Sequence, residues 1–105
     1  MSELSSRREK IEQMLADEPG DTFLRYSLAM ELDKEGEHEA SLGRLSELYL
    51  EQPPYIPAYF MAGQQLARLG RIEEARDVLR KGSEVAQNEG DLHAAAEMNE
   101  FLEHL

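Results

Sequence analysis

The chain has 105 residues, a natural size for one domain, and 41% of them are hydrophobic and 31% charged, which suits a soluble helical protein. It has no cysteine, which excludes disulfides, thiolate metal ligands and a cysteine nucleophile. A formal net charge of −11 sets it against nucleic acid and anionic membranes, while serving solubility and attracting basic partners.

The N-terminal stretch Ser5-Ser6-Arg7-Arg8-Glu9-Lys10 is charged, and no apolar run follows it. Neither a signal peptide nor a membrane span of roughly 20 apolar residues is expected, and a cytoplasmic location is the simplest reading. Ser6 and Glu9 have capping-box spacing, which predicts a first helix from Ser5 or Ser6 to Asp17 in a unit of about 4–17. Asp21 is placed to cap a helix of about 22–35. Gly36 can take the left-handed shape that ends helices, and a second helix of about 37–51 follows. Pro53 and Pro54 stop that helix, and Pro57 suits the first turn of a helix of about 57–69. Gly70 precedes a helix of about 72–87. Gly90-Asp91 restarts the chain for a last helix to about 103, within a C-terminal capping segment of about 91–104. The expectation is six helices, no strand and a single domain.

A repeat runs through these elements. Pro19 and Pro53 lie 34 residues apart, as do Gly36 and Gly70. The same offset pairs Leu28 with Ala62, Ala29 with Gly63, Leu32 with Leu66, Ser41 with Ala75 and Leu45 with Leu79. Stepping backward, Ile11 pairs with Leu45, Met14 with Leu48 and Leu15 with Tyr49. Leu28, Ala29 and Leu32 share one helical face. The small residues Ala29, Gly63, Ser41 and Ala75 stand where helix backbones would approach closely.

In this register the chain resembles the tetratricopeptide repeat family, whose helix–turn–helix unit has 34 residues. The family's apolar, small and large apolar positions of the first helix fall on Leu28, Ala29 and Leu32 in a first unit of 22–53. In a second unit of 56–88 they fall on Ala62, Gly63 and Leu66, preceded by Tyr59 and followed by Ala75, Leu79 and Gly82. Gly70-Arg71-Ile72-Glu73-Glu74-Ala75 is similar to the family's inter-helix turn. Three residues depart from the pattern. Arg25 replaces a large apolar residue, Leu48 a small one and Gln87 a proline.

The resemblance implies an all-α fold, a stack of antiparallel helix pairs forming an α-solenoid. It implies a non-catalytic protein-binding module without a cofactor. The groove positions of the family fall on Phe23, Tyr26, Met30, Asp33 and Lys34 in the first unit. In the second they fall on Pro57, Phe60, Gln64, Ala67 and Arg68. Phe23, Tyr26, Met30 and Phe60 would then form an apolar strip, with Lys34 and Arg68 supplying a cation at one end. A peptide or partner helix carrying acidic and apolar groups would fit. Against this stands a groove filled by the last helix, with Phe23 or Phe60 in the core. A second function also stands: self-assembly through the terminal helices, because the N-terminal half unit leaves one face open. Monomer and weak homodimer both remain open. The family's carboxylate clamp for chaperone tails would require Lys, Asn and Arg where this chain has Tyr26, Met30, Met61, Asp91 and Ala95, so no clamp is expected.

Chemistry of other kinds finds little support. His38, His93 and His104 are scattered, and none pairs with another at helical spacing, so no metal site is expected. His38 falls in the first inter-helix turn and reads as a solvated residue. The alternating Asp33, Glu35, Glu37 and Glu39, and the pair Glu73-Glu74, fall near helix ends, where solvation and helix charge explain them. No phosphate-binding glycine loop and no serine elbow occurs, and no enzyme activity is expected.

Overall fold

The computed structural model describes residues 3–105, with side chains from Ser6 onward. Six helices follow one another: α1 (Glu3–Asp17), α2 (Thr22–Lys34), α3 (His38–Tyr49), α4 (Ile56–Arg68), α5 (Ile72–Asn88) and α6 (Leu92–Glu103). No strand occurs among the described residues. Helix α1 starts earlier than its serines suggest. Glu3 and Leu4 are good helix formers and carry it past Ser5 and Ser6, so Ser6 lies inside the helix and caps nothing.

The other ends follow local chemistry. The Asp21 carboxylate accepts the Leu24 N–H at 2.9 Å, and the Asp91 carboxylate accepts the Ala94 N–H at 3.1 Å. Pro57 sits in the first turn of α4, where a missing N–H costs nothing. Gly36 and Gly70 adopt φ of 85° and 79°, which lets the N–H of the next residue reach back to the last turn. Glu37 donates to the Leu32 carbonyl and Arg71 to the Leu66 carbonyl, each at 2.9 Å. Helix α3 has no such glycine. It stops at Tyr49, ahead of Pro53 and Pro54, and the Tyr55 N–H reaches back to the Leu48 carbonyl at 3.1 Å.

Each helix packs chiefly on its neighbours in sequence, and α4 also meets α6. Short turns make successive helices antiparallel, so α2, α4 and α6 run the same way. The result is a slab of 41 × 29 × 18 Å. Its interior is layered rather than central, as in a stack in which each unit rests on the next. Ile11 of α1 packs with Leu28 and Leu32 of α2. Ala29, Leu45, Leu48, Ala58 and Ala62 form the middle layer. Ile56, Tyr59, Leu79, Ala86 and Met98 form the last.

The small residues mark the closest approaches. A Cβ on Gly63 would come within 2.4 Å of the Leu79 side chain, and one on Gly82 within 2.7 Å of the Tyr59 Cβ. Ser41 is buried where the second unit has Ala75, and its hydroxyl is used. It donates to the Ala29 carbonyl at 2.6 Å and accepts from the Gln65 amide at 3.0 Å.

Two departures from the repeat pattern offset each other. In the second unit a large Tyr59 on α4 lies against Gly82 on α5. In the first unit the large apolar residue stands on the second helix instead, as fully buried Leu48. The matching residue of α2, Arg25, extends to Glu51 at 2.6 Å. The third departure, Gln87, lies inside α5, which without a proline runs on to Asn88. The N-caps Asp21 and Tyr55 are therefore 34 residues apart, but Tyr55 and Asp91 are 36 apart. With that shift of two, Ala95, Met98 and Leu102 of α6 take the places held by Tyr59, Ala62 and Leu66 in α4.

Candidate protein-binding groove

The three parallel helices α2, α4 and α6 share one side of the slab. Between α4 and α6 lies a recess of about 340 Å³ with Tyr26 of α2 also in its lining. Its apolar lining comes from Ile56, Pro57, Phe60 and Met61 on α4 and from Ala94 and Met98 on α6. Polar lining groups are Gln64, Asp91, His93 and Glu97. Two shallower depressions adjoin it. One is lined by Phe60, Phe101, Glu97, Glu100 and His104. The other is lined by Met61, Gln64, Ala67, Arg68 and Phe101.

The recess exists because α6 leans on α5 more than on α4. Ala95 and Met98 face α5 and the last core layer, which leaves Ala94 and Glu97 on the side toward the recess. Phe60 meets Phe101 edge to face, with ring centroids 5.8 Å apart. That contact bridges α4 and α6. Phe60 thus belongs both to the margin of the core and to the groove wall. Helix α6 does not fill the groove; it supplies one wall.

Of the residues expected to line the groove, Tyr26, Pro57, Phe60 and Gln64 meet in the main recess, and Gln64, Ala67 and Arg68 share the neighbouring depression. Tyr26 is half-buried and lies edge-on to Tyr55, with centroids 5.4 Å apart. Burial, together with Tyr55, raises its hydroxyl pKa above the ordinary value. Phe23 is neither core nor part of the recess; it is 69% exposed in the first turn of α2. Met30 and Lys34 line none of these three depressions, and Lys34 is exposed.

The two expected cations are not alike. Both terminal nitrogens of Arg68 donate to Asp33 Oδ2 at 3.2 Å. The other Asp33 oxygen lies 2.7 Å from His38 Nδ1. Arg68 is therefore answered within the fold by a residue that the groove positions had grouped beside it. His38 is not a free turn residue either. It is the first residue of α3 and is held against Asp33.

The expected groove positions stop short of α6, and the lining residues that a 34-residue count still misses there are His93 and Glu97. Counting on by 34 from Pro57, Phe60 and Gln64 reaches Asp91, Ala94 and Met98, which line the recess, but not His93 or Glu97. The warning in the sequence is Gln87, where a proline would have ended α5. With the shift, the last two clamp positions fall on His93 and Glu97 rather than Asp91 and Ala95. Neither is Lys or Arg.

The α6 wall is acidic. Glu97 and Glu100 are exposed along it, and the nearest basic group to Glu97 is the exposed His93, at 3.2 Å. Such a surface can seat an apolar side chain and offer carboxylates beside it. Among the described residues no cluster of three or more His, Asp or Glu is arranged to hold a metal. No described helix is long and apolar enough to cross a membrane.

No protein-family model matches the sequence, and no curated protein matches it. Solved structures do. The chain is similar to the solution NMR structure of a tetratricopeptide repeat domain protein from Salinibacter ruber, with a TM-score of 0.72 and 33% identity over 80% of this chain and 85% of that one. A crystal structure of a tetratricopeptide repeat domain protein from Salinibacter ruber gives a TM-score of 0.66 and 33% identity, over 78% of this chain and 91% of that one. Likeness of this extent joins the helix-pair stack, the 34-residue register and the glycines at close helix contacts: the chain belongs to the tetratricopeptide repeat family.

Proposed function

We propose that this protein is a non-catalytic adaptor that docks a peptide or helix of another protein in the groove formed by α2, α4 and α6. The observation that carries this reading is the recess of about 340 Å³, apolar at its base and bordered by polar groups. A patch of aromatic and Met side chains on a rigid frame is a favourable anchor site. In this reading α1 is a half unit, 22–53 and 56–88 are full repeats, and α6 acts as the first helix of a third unit. It both covers the last core layer and completes the groove.

Gln64 lies at the centre of the groove without a structural hydrogen bond to lose. Gln64→Trp fills the recess and should leave helicity and thermal unfolding unchanged. The variant should fail to capture, from lysate of the source organism, a protein that the wild type captures. Equal capture by both folded proteins would contradict docking in this groove.

Self-assembly keeps one supporting observation: α1 packs chiefly on α2, and Met14 on it is 48% exposed. Light scattering separates the readings. The adaptor reading expects monomer mass at all concentrations, and self-assembly expects mass that rises with concentration.

A further inference from the structure

We infer that the segment taken by this groove is basic and apolar: a large aliphatic or aromatic side chain with Lys or Arg beside it. The inference rests on the groove being the docking site and names the chemistry of its occupant.

Charge complementarity selects the occupant. The repeat register alone suggests an acidic partner, because Lys34 and Arg68 fall at groove positions. In the folded chain Arg68 lines one of the depressions, but both its terminal nitrogens donate to Asp33, so its charge is shared with a carboxylate. Lys34 lines none of the three depressions. On the opposite wall neither Glu97 nor Glu100 pairs with a Lys or Arg among the described residues, and Glu97 has only His93, at 3.2 Å. Glu97 lines both the main recess and the depression beside it, and Glu100 follows one turn later. Asp91 is spent on the cap of α6, so Glu97 and Glu100 carry the effect. The whole chain adds a net charge of −11, which speeds encounter with a cation and slows it with an anion.

The geometry also orders the two halves of the ligand. The apolar side chain goes between Phe60, Met61 and Met98. The cationic residue then sits on the α6 side, toward Glu97 and Glu100. A guanidinium suits this wall best, because it can bridge two carboxylates.

The test is selection of a random peptide library displayed on phage against the folded full chain, with Gln64→Trp as the counter-selecting bait. Groove-dependent peptides that combine an apolar anchor with Lys or Arg support the inference. For those peptides, the double variant Glu97→Lys, Glu100→Lys should weaken binding by roughly tenfold or more, and added salt should weaken wild-type binding. Groove-dependent peptides that are acidic or neutral would overturn the charge assignment while leaving the groove as the docking site. An absence of any groove-dependent peptide would overturn both.

Discussion

Gly82 and Tyr59 lie so close that a Cβ on the glycine would fall 2.7 Å from the Cβ of the tyrosine. The Tyr59 atom is next to its own backbone, so α4 itself would have to move. Gly82→Ala should therefore destabilise the protein by about 1–3 kcal/mol, although alanine is the better helix former. Gly43 is the control. It is an exposed residue of α3 with nothing within 4 Å of its would-be Cβ. Gly43→Ala should stabilise by about 0.5–1 kcal/mol. Urea denaturation of both variants checks the pair, and equal signs would contradict it.

Ser41 and Gln65 form a second dependent pair. The hydroxyl of Ser41 is the acceptor for the buried Gln65 amide, and Gln65 Oε1 has no partner of its own. Ser41→Ala restores the residue type of the matching position, Ala75, yet leaves that amide without an acceptor. It should cost about 1–3 kcal/mol. Adding Gln65→Leu removes the stranded group and should return most of the loss. A double-mutant cycle by chemical denaturation measures the coupling, and additive losses would count against it.

Glu31 is buried at the α1–α2 contact, and neither of its carboxylate oxygens has a hydrogen bond. Arg7 Nε lies 3.1 Å from one of them, so the pairing is Coulombic without hydrogen-bond alignment. Arg7 is 69% exposed on its side chain, which weakens the pairing through solvent screening. Glu31→Met should be neutral or stabilising, because an apolar side chain of similar volume avoids the desolvation of a carboxylate. Thermal unfolding of the variant decides it, and a large loss of stability would show that the carboxylate is needed.

Tyr49 and Tyr59 stack with ring centroids 4.2 Å apart. Burial raises both hydroxyls above their ordinary value of 10.0. A raised pKa in the folded state means that the unfolded chain loses these protons first. Their contribution is complete below pH 10 and is lost as the pH rises through that value and beyond. Stability in urea should fall in that window, with tyrosinate absorbance rising together with loss of helical signal. Full ionisation of both tyrosines in an intact helical fold would contradict the assignment.

Much of the fold was legible because close packing leaves marks that survive in one sequence. Ala29, Ser41, Gly63 and Ala75 are small at a fixed offset, and Gly36 and Gly70 stop helices at the same offset. Asp21, Asp91 and Pro57 act within one turn of their own position, so their roles needed no tertiary knowledge. The groove was less legible for two physical reasons. First, the offset is not constant: Gln87 lets α5 continue, and every position of α6 moves by two. Second, ion pairs between helices leave no periodic trace. Nothing local indicates that Asp33 answers both Arg68 and His38.

The most direct test of the docking account is a chemical-shift map of the isotopically labelled protein with a bound peptide selected on it. The account predicts that the largest amide changes fall on the facing sides of α4 and α6, around Phe60, Gln64, Ala94 and Glu97, and that Gln64→Trp abolishes them. Changes confined to outward residues such as Arg44 of α3 or Arg80 of α5, with the groove unaffected, would contradict it.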